Sequence, residues 1–157
     1  MSQSDKTYLT IEGKDDLEKE LKNLIEQRRP ELAQKLKEAV AQGDLKENAD
    51  YHDAKEQQAF VEGRIKYLED ILRSAEIISN DGNTDEVAMG STVTIRFDGE
   101  DEDESYIIVG AAEANPREGK ISHESPIGKA LMNRKKGDKV RANTPSGELI
   151  FKIRKIK

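Results

Sequence analysis

The sequence predicts an α+β protein in two parts: an N-terminal antiparallel α-helical coiled-coil hairpin over residues 1–78, and a small C-terminal antiparallel-sheet domain with one helix over residues 79–157. Three observations carry this. The hydrophobic period changes from helical to strand-like near residue 80. Charged residues make up 37% of the 157, against 34% apolar and 4% aromatic, too lean a mixture for one thick core, so part of the chain should be elongated. Charge is also uneven: residues 1–75 hold 13 basic and 17 acidic side chains, residues 76–119 hold 2 and 12, and residues 120–157 hold 11 and 3.

In the second half of the first block, Ala54, Gln58, Val61, Ile65, Leu68, Leu72 and Ala75 recur at steps of four and three, the seam of a coiled coil. Upstream, Leu17, Leu21, Leu24 and Arg28 keep the rhythm, and Leu32, Leu36 and Ala39/Val40 resume it after an extra step at Arg29-Pro30. A local distortion is expected there, because proline removes a backbone donor and crowds the preceding turn. Each seam alone would expose an apolar stripe. The segment between them, residues 42–48 (QGDLKEN), is polar, contains Gly43 and is short, so the two helices should fold back on each other. Arms of about thirty residues would reach roughly 45 Å, which makes the reversal a probe tip.

Past residue 86 the pattern becomes short β-type runs at residues 91–97 (STVTIRF), 105–110 (SYIIVG), 139–143 and 148–156 (ELIFKIRKI). The last two flank Thr144-Pro145-Ser146-Gly147 and read as a hairpin. A helix fits residues 126–132, with Ser125 as N-cap and Pro126 at its first position. The tract 98–104 (DGEDEDE) reads as a solvated acidic loop between strands.

The chemistry-bearing residues cluster at the reversal. Asp44 and Glu47 lie three apart, and that spacing supports two readings. In one, Asp44 caps the second helix and Glu47 takes its third position, a capping box with no further duty. In the other, the turn aims both carboxylates at one point, as oxygen donors for a hard divalent ion. Two carboxylates are too few for a closed magnesium shell, so the second reading requires another molecule to supply the remaining ligands. His52 and Glu56 sit four apart, as metal ligands on a helix often do, but no second histidine lies near them, so His52 reads as a solvated or tyrosine-neighbouring histidine. Lys46, Lys55, Arg64 and Lys66 could touch nucleic acid along the rod or simply face water.

Other classes are excluded by what the sequence lacks. A net charge of -6 argues against a dedicated duplex-DNA binder. With no cysteine there are no disulfides, thiolate metal sites or cysteine nucleophiles. No apolar run approaches a membrane span and residues 1–8 have no apolar signal core, so a soluble, cytoplasmic protein without membrane contact is expected. No Walker loop, GxGxxG or HExxH occurs, so a self-contained enzyme is not expected.

Residues 43–58 (GDLKENADYHDAKEQQ) followed by Gly63-Arg64-Ile65, with Arg29-Pro30-Glu31 upstream, resemble the tip and helices of the bacterial transcript cleavage factors of the Gre family. Residues 121–128 (ISHESPIG), Gly137-Asp138 and residues 144–148 (TPSGE) resemble that family's C-terminal signature. The likeness implies an FKBP-like globular domain that docks on bacterial RNA polymerase at its secondary channel while the rod passes inside. It implies that Asp44 and Glu47 help hold the second Mg²⁺ of the polymerase's own active site, where backtracked RNA is cut near its 3′ end. The isolated chain would hold no metal and would be no enzyme itself. By the same likeness Ile121, Ser122, Ser125 and Pro126 belong to the polymerase-docking segment, Lys46 and Lys55 are the candidate contacts to RNA, and a monomer is expected. Two competing readings are a Gre-like channel-binding regulator without cleavage activity, and a coiled-coil adaptor or chaperone with an FKBP-like domain.

Overall fold

The computed structural model describes residues 6–44, 46–79, 82 and 84–157. It divides into a helical unit, residues 14–74, and a sheet unit that combines residues 1–13 with 75–157.

The helical unit is a hairpin. Helix α1 (Ile11–Asn23) runs through a π-helical turn (Leu24–Arg28) into α2 (Arg29–Ala41), and α3 (Ala49–Ser74) returns alongside. The π turn ends two residues before Pro30, where the sequence calls for an extra step. In it the Arg29 amide reaches back five residues to the Leu24 carbonyl. A five-residue turn absorbs one extra residue, so the apolar rhythm resumes on the same face and Pro30 sits in the first turn of a new α-helical stretch, where its missing donor costs little. Leu24 and Ile25 both pack against the buried file Leu32, Val61 and Ile65.

Along α3 the buried residues are Ala54, Val61, Ile65, Leu68 and Ile71. The predicted seam position Leu72 is half-buried, and its place in the contact passes to Ile71. The arms are also tied by polar bridges across the seam. Arg28 donates to Gln57 at 2.7 Å, and Arg29 and Arg64 each make two-pronged contacts, to Glu62 (2.7 and 2.9 Å) and Glu20 (2.7 and 3.0 Å).

In the sheet unit, β1 (Tyr8–Thr10) pairs in parallel with β2 (Glu76–Ile78). The chain therefore enters and leaves the hairpin through neighbouring strands. By contact both short strands group with the sheet: Leu9 is fully buried and Thr10 is bonded to Glu113.

The main sheet has order β5-β4-β3-β7-β6, with β3 (Thr92–Phe97), β4 (Glu104–Val109), β5 (Lys120–Ser122), β6 (Lys139–Thr144) and β7 (Gly147–Ile156). All neighbours are antiparallel except β4 and β5, joined through two 3₁₀ turns. The fold is α+β as the sequence indicates, but the two parallel pairs, β1/β2 and β4/β5, add to the antiparallel sheet expected from it. Both pairs involve three-residue strands, too short to show a period of two.

Alternation along β7 sends Phe151 and Ile153 inward and Lys152 and Arg154 outward. The inward set closes with Val93, Ile95, Ile108 and Leu131 into the core. Helix α4 (Pro126–Leu131) covers that face, and Thr144 pairs with Gly147 across a two-residue turn, as the sequence predicts.

Candidate functional site

The hairpin reverses between Ala41 and Ala49. Gly43 ends α2 with φ at 110°, a left-handed value that suits glycine after a helix, and its amide bonds the Val40 carbonyl at 3.3 Å. The cap of α3 is Asn48. Its Oδ1 accepts from the Tyr51 amide at 3.1 Å, while its Nδ2 donates to the Ala39 carbonyl of the opposite arm at 2.7 Å. One side chain thus starts the second helix and clamps it to the first.

This geometry bears on the capping-box reading of the acidic pair. Asp44 does not cap α3, and Glu47 does not occupy its third position, because the helix begins later and Asn48 holds the capping place. The capping-box reading is corrected: asparagine is as good a cap as aspartate, and it lies at the right distance from the first apolar contact of the helix, Ala54. Asp44 is exposed and, among the described residues, accepts only from the Lys46 amide, at 3.1 Å, while Glu47 is exposed and bonds no other described residue. Both carboxylates stand in solvent on one turn.

The rest of the tip supports that turn. His52 folds back so that its Nε2 lies 3.3 Å from the Lys46 carbonyl, and its ring meets Tyr51 edge-on at 5.5 Å. His52 is thus the tyrosine-neighbouring histidine that the sequence suggests, and it also holds the loop. Lys46 lies between the two acids and Lys55 on α3, both exposed. Among the described residues, no group of three or more His, Asp or Glu side chains converges on one point. The donor set at the tip is two hard oxygen ligands, which suits magnesium in kind but leaves most of an octahedron to other molecules.

The second candidate segment follows β5. Ser122 Oγ accepts from the Glu124 amide at 3.0 Å. Ser125 Oγ donates to the Ser122 carbonyl at 2.7 Å and accepts from the Gly128 amide at 3.1 Å, confirming its capping place. Helix and loop are pressed together at Gly128, where a Cβ would come within 2.0 Å of the Ser122 carbonyl oxygen. Glu124 and Pro126 are exposed, whereas Ile121 is only 8% exposed and packs in the core. Of the four residues singled out from sequence, Pro126 presents surface, Ser122 and Ser125 shape the loop, and Ile121 anchors it.

Asn48 was missed by the sequence reading. The signal was present, an asparagine three residues before Tyr51 ahead of a long apolar rhythm, but Asp44 offered a competing cap four residues earlier.

Comparison with known proteins bears on the whole chain. Residues 7–77 match the family described as Transcription elongation factor, N-terminal, and residues 82–157 match Transcription elongation factor, GreA/GreB, C-term. The chain is 52% identical over 155 residues to a transcription elongation factor GreA of Streptococcus pneumoniae, covering 98% of this chain and 97% of the relative. It is 49% identical over 156 residues to a GreA of Bacillus velezensis, covering 99% of each. Among solved structures it resembles the GreA factor homolog Gfh1 of Thermus thermophilus, with 33% identity, 97% of this chain and 99% of that one covered, and a TM-score of 0.44. Because the two family matches fall on the two halves in order and near-half identity runs from end to end, the chain belongs to the GreA/GreB family of transcription elongation factors.

Proposed function

We propose that the chain acts in transcription elongation by lending Asp44 and Glu47 to RNA polymerase, and so stimulates the polymerase's own cleavage of backtracked RNA. The observation that carries this is the release of both acids from structural duty: Asn48 does the capping, and the two carboxylates are left exposed on a tight turn at the end of the hairpin away from Lys14 and Ser74.

The tip is built to arrive with its shape already set. Gly43, the Asn48 clamp and the His52 contact hold the turn before any partner is met, so little ordering is left for binding to supply. Asp44 and Glu47 would be the chain's ligands to a magnesium ion shared with the polymerase and the RNA. Such an ion, when bound, supplies charge neutralisation and an activated water at a phosphodiester. Lys46 and Lys55 would meet the RNA backbone beside it. Docking would fall to the loop at residues 122–126, where Glu124 and Pro126 offer surface and Ser122, Ser125 and Ile121 fix its shape. The chain donates ligands and performs no catalysis alone.

Adding the protein to a purified, stalled elongation complex should shorten the backtracked RNA. Asp44→Ala and Glu47→Ala should each lower the saturating rate by at least about tenfold, the scale of losing support to a bound metal. Glu124→Lys should instead raise the concentration needed for half-maximal effect. If the wild-type chain binds polymerase without stimulating cleavage, it is a channel-binding regulator. If the polymerase-free protein cuts RNA, the ligand-donor reading fails.

A further inference from the structure

The backbone of Lys46 stands between the two tip acids and is gripped at both ends. Its amide donates to Asp44 Oδ1 at 3.1 Å, and its carbonyl lies 3.3 Å from His52 Nε2. A carbonyl oxygen can only accept, so Nε2 carries the proton, which in the neutral ring leaves Nδ1 bare. Tyr51 meets that ring edge-on, with 71° between the planes, and limits how it can turn. The helical turn that presents the ring is itself fixed. Asn48 accepts from the Tyr51 amide through its side chain and from the His52 amide through its carbonyl, both at 3.1 Å.

The two contacts on Lys46 act on different acids. At Asp44 the amide occupies one carboxylate oxygen and leaves the other without a partner among the described residues, so the backbone of the loop sets the turn of the group. At Glu47 the link is covalent. The Lys46 carbonyl and the Glu47 amide belong to one planar peptide unit, so a bond that fixes the carbonyl also fixes the direction in which the chain enters Glu47. His52 therefore reaches the acidic pair through a single residue.

Magnitudes separate this role from a merely structural one. The contact is exposed and long, so it adds little to the stability of the fold. Placement of metal ligands is less forgiving: removing a group that orients them typically costs about 10- to 100-fold in affinity or activity. With only two carboxylates on the turn, their relative placement depends on how firmly the loop backbone is held.

We propose that His52 is a positioning residue of the tip: its Nε2–H, donated to the Lys46 carbonyl, sets the peptide between Lys46 and Glu47 and so the placement of Glu47 relative to Asp44. This rests on the ligand-donor reading of the two acids and assigns His52 no contact with the metal.

Two variants separate the donor from the ring. His52→Phe keeps an aromatic ring beside Tyr51 and loses the donor, whereas His52→Gln loses the ring but carries an N–H the same number of bonds from the backbone. In the stalled elongation complex His52→Phe should lower the saturating cleavage rate by about tenfold and raise the Mg²⁺ concentration that supports half the maximal rate. The half-maximal protein concentration and the melting temperature should stay as in wild type, and His52→Gln should restore most of the rate. A second readout needs no polymerase. In the isotopically labelled full chain, NMR should find the neutral His52 ring protonated at Nε2, and the Lys46 carbonyl and Glu47 amide resonances should move in His52→Phe and return in His52→Gln. The placement is overturned if Nε2 is the bare nitrogen, if the Glu47 amide does not respond to loss of the donor, or if His52→Gln fails as His52→Phe does. It is also overturned if His52→Phe cleaves as fast as wild type while Asp44→Ala collapses the rate. If Asp44→Ala itself leaves the rate intact, the ligand-donor reading fails instead, and the resonances still decide whether His52 sets the peptide.

Discussion

The hairpin tip and the loop after β5 are both short, polar and exposed, yet they divide labour in opposite ways. At the tip, structure and the proposed chemistry fall on different residues: Asn48, Gly43 and His52 hold the turn, and Asp44 and Glu47 are left to solvent. In the loop the same residues do both. Ser125 is a cap and a candidate contact, Ile121 is core, and Gly128 is fixed by contact with a carbonyl. The difference follows from packing. A two-helix hairpin has one seam, and at its reversal a few residues suffice to close the turn, so Asp44 and Glu47 escape structural duty. A loop pressed between a strand and a helix has neighbours on every side, and each atom is recruited. The tip should therefore change in function without changing in stability, and the loop should rarely do one without the other.

The sharpest contrast is Ile121→Asp against Asp44→Ala. A carboxylate forced into the core at Ile121 has no partner, and such burial should destabilise the sheet unit by about 3 kcal/mol or more. Asp44→Ala removes a solvated group and should leave the melting temperature unchanged. Thermal unfolding followed by circular dichroism measures both, and a folded, stable Ile121→Asp would break the comparison.

Asn48→Ala comes next. It removes a cap and a bond between the arms, about 1 to 2 kcal/mol together. Because the loss is local, amide exchange at Tyr51 and His52 should quicken while exchange in β7 stays as it was. Equal quickening in both places would mean that the tip is not an independent element.

Ser125→Ala should cost about 1 kcal/mol through the lost cap. It should also shift the half-maximal concentration in the cleavage assay modestly, since the same atom shapes the docking loop. A loss of stability with no shift in that midpoint would separate the two roles that the loop is argued to combine.

The smallest effect concerns the bridges between the arms. The hydrogen bonds from Arg29 hold the Glu62 carboxyl below its ordinary range. Its folded value is depressed, so its contribution is present above about pH 4.3, the ordinary glutamate value, and is lost as pH falls through the lower folded value. A Glu62→Gln variant should melt slightly earlier than wild type at neutral pH and converge with it in acid. As the pair is exposed, added salt should shrink the gap.

The sequence by itself determined the elements that carry a long rhythm. The seam residues Ala54, Val61, Ile65 and Leu68 are legible because a helix twenty-six residues long repeats its period many times, and β7 because ten residues alternate. Ser125 and Pro126 are legible because a cap is decided within a few residues. For Asp44 and Glu47 the spacing alone left two readings open, and their proposed role comes from the family resemblance of the stretch at the turn. Tertiary structure alone decided matters that depend on residues far apart in the chain. It put β1 beside β2, 68 residues on, although neither strand is long enough to announce itself. It buried Ile121, whose neighbours in sequence look like surface. It brought Lys139, Lys152 and Arg96 into one row through strand register, which no local pattern encodes. At the tip it chose Asn48 over Asp44 as the cap: both residue types cap equally well, and only the carbonyl of Ala39, presented by the opposite arm, gave asparagine the second bond that aspartate cannot donate.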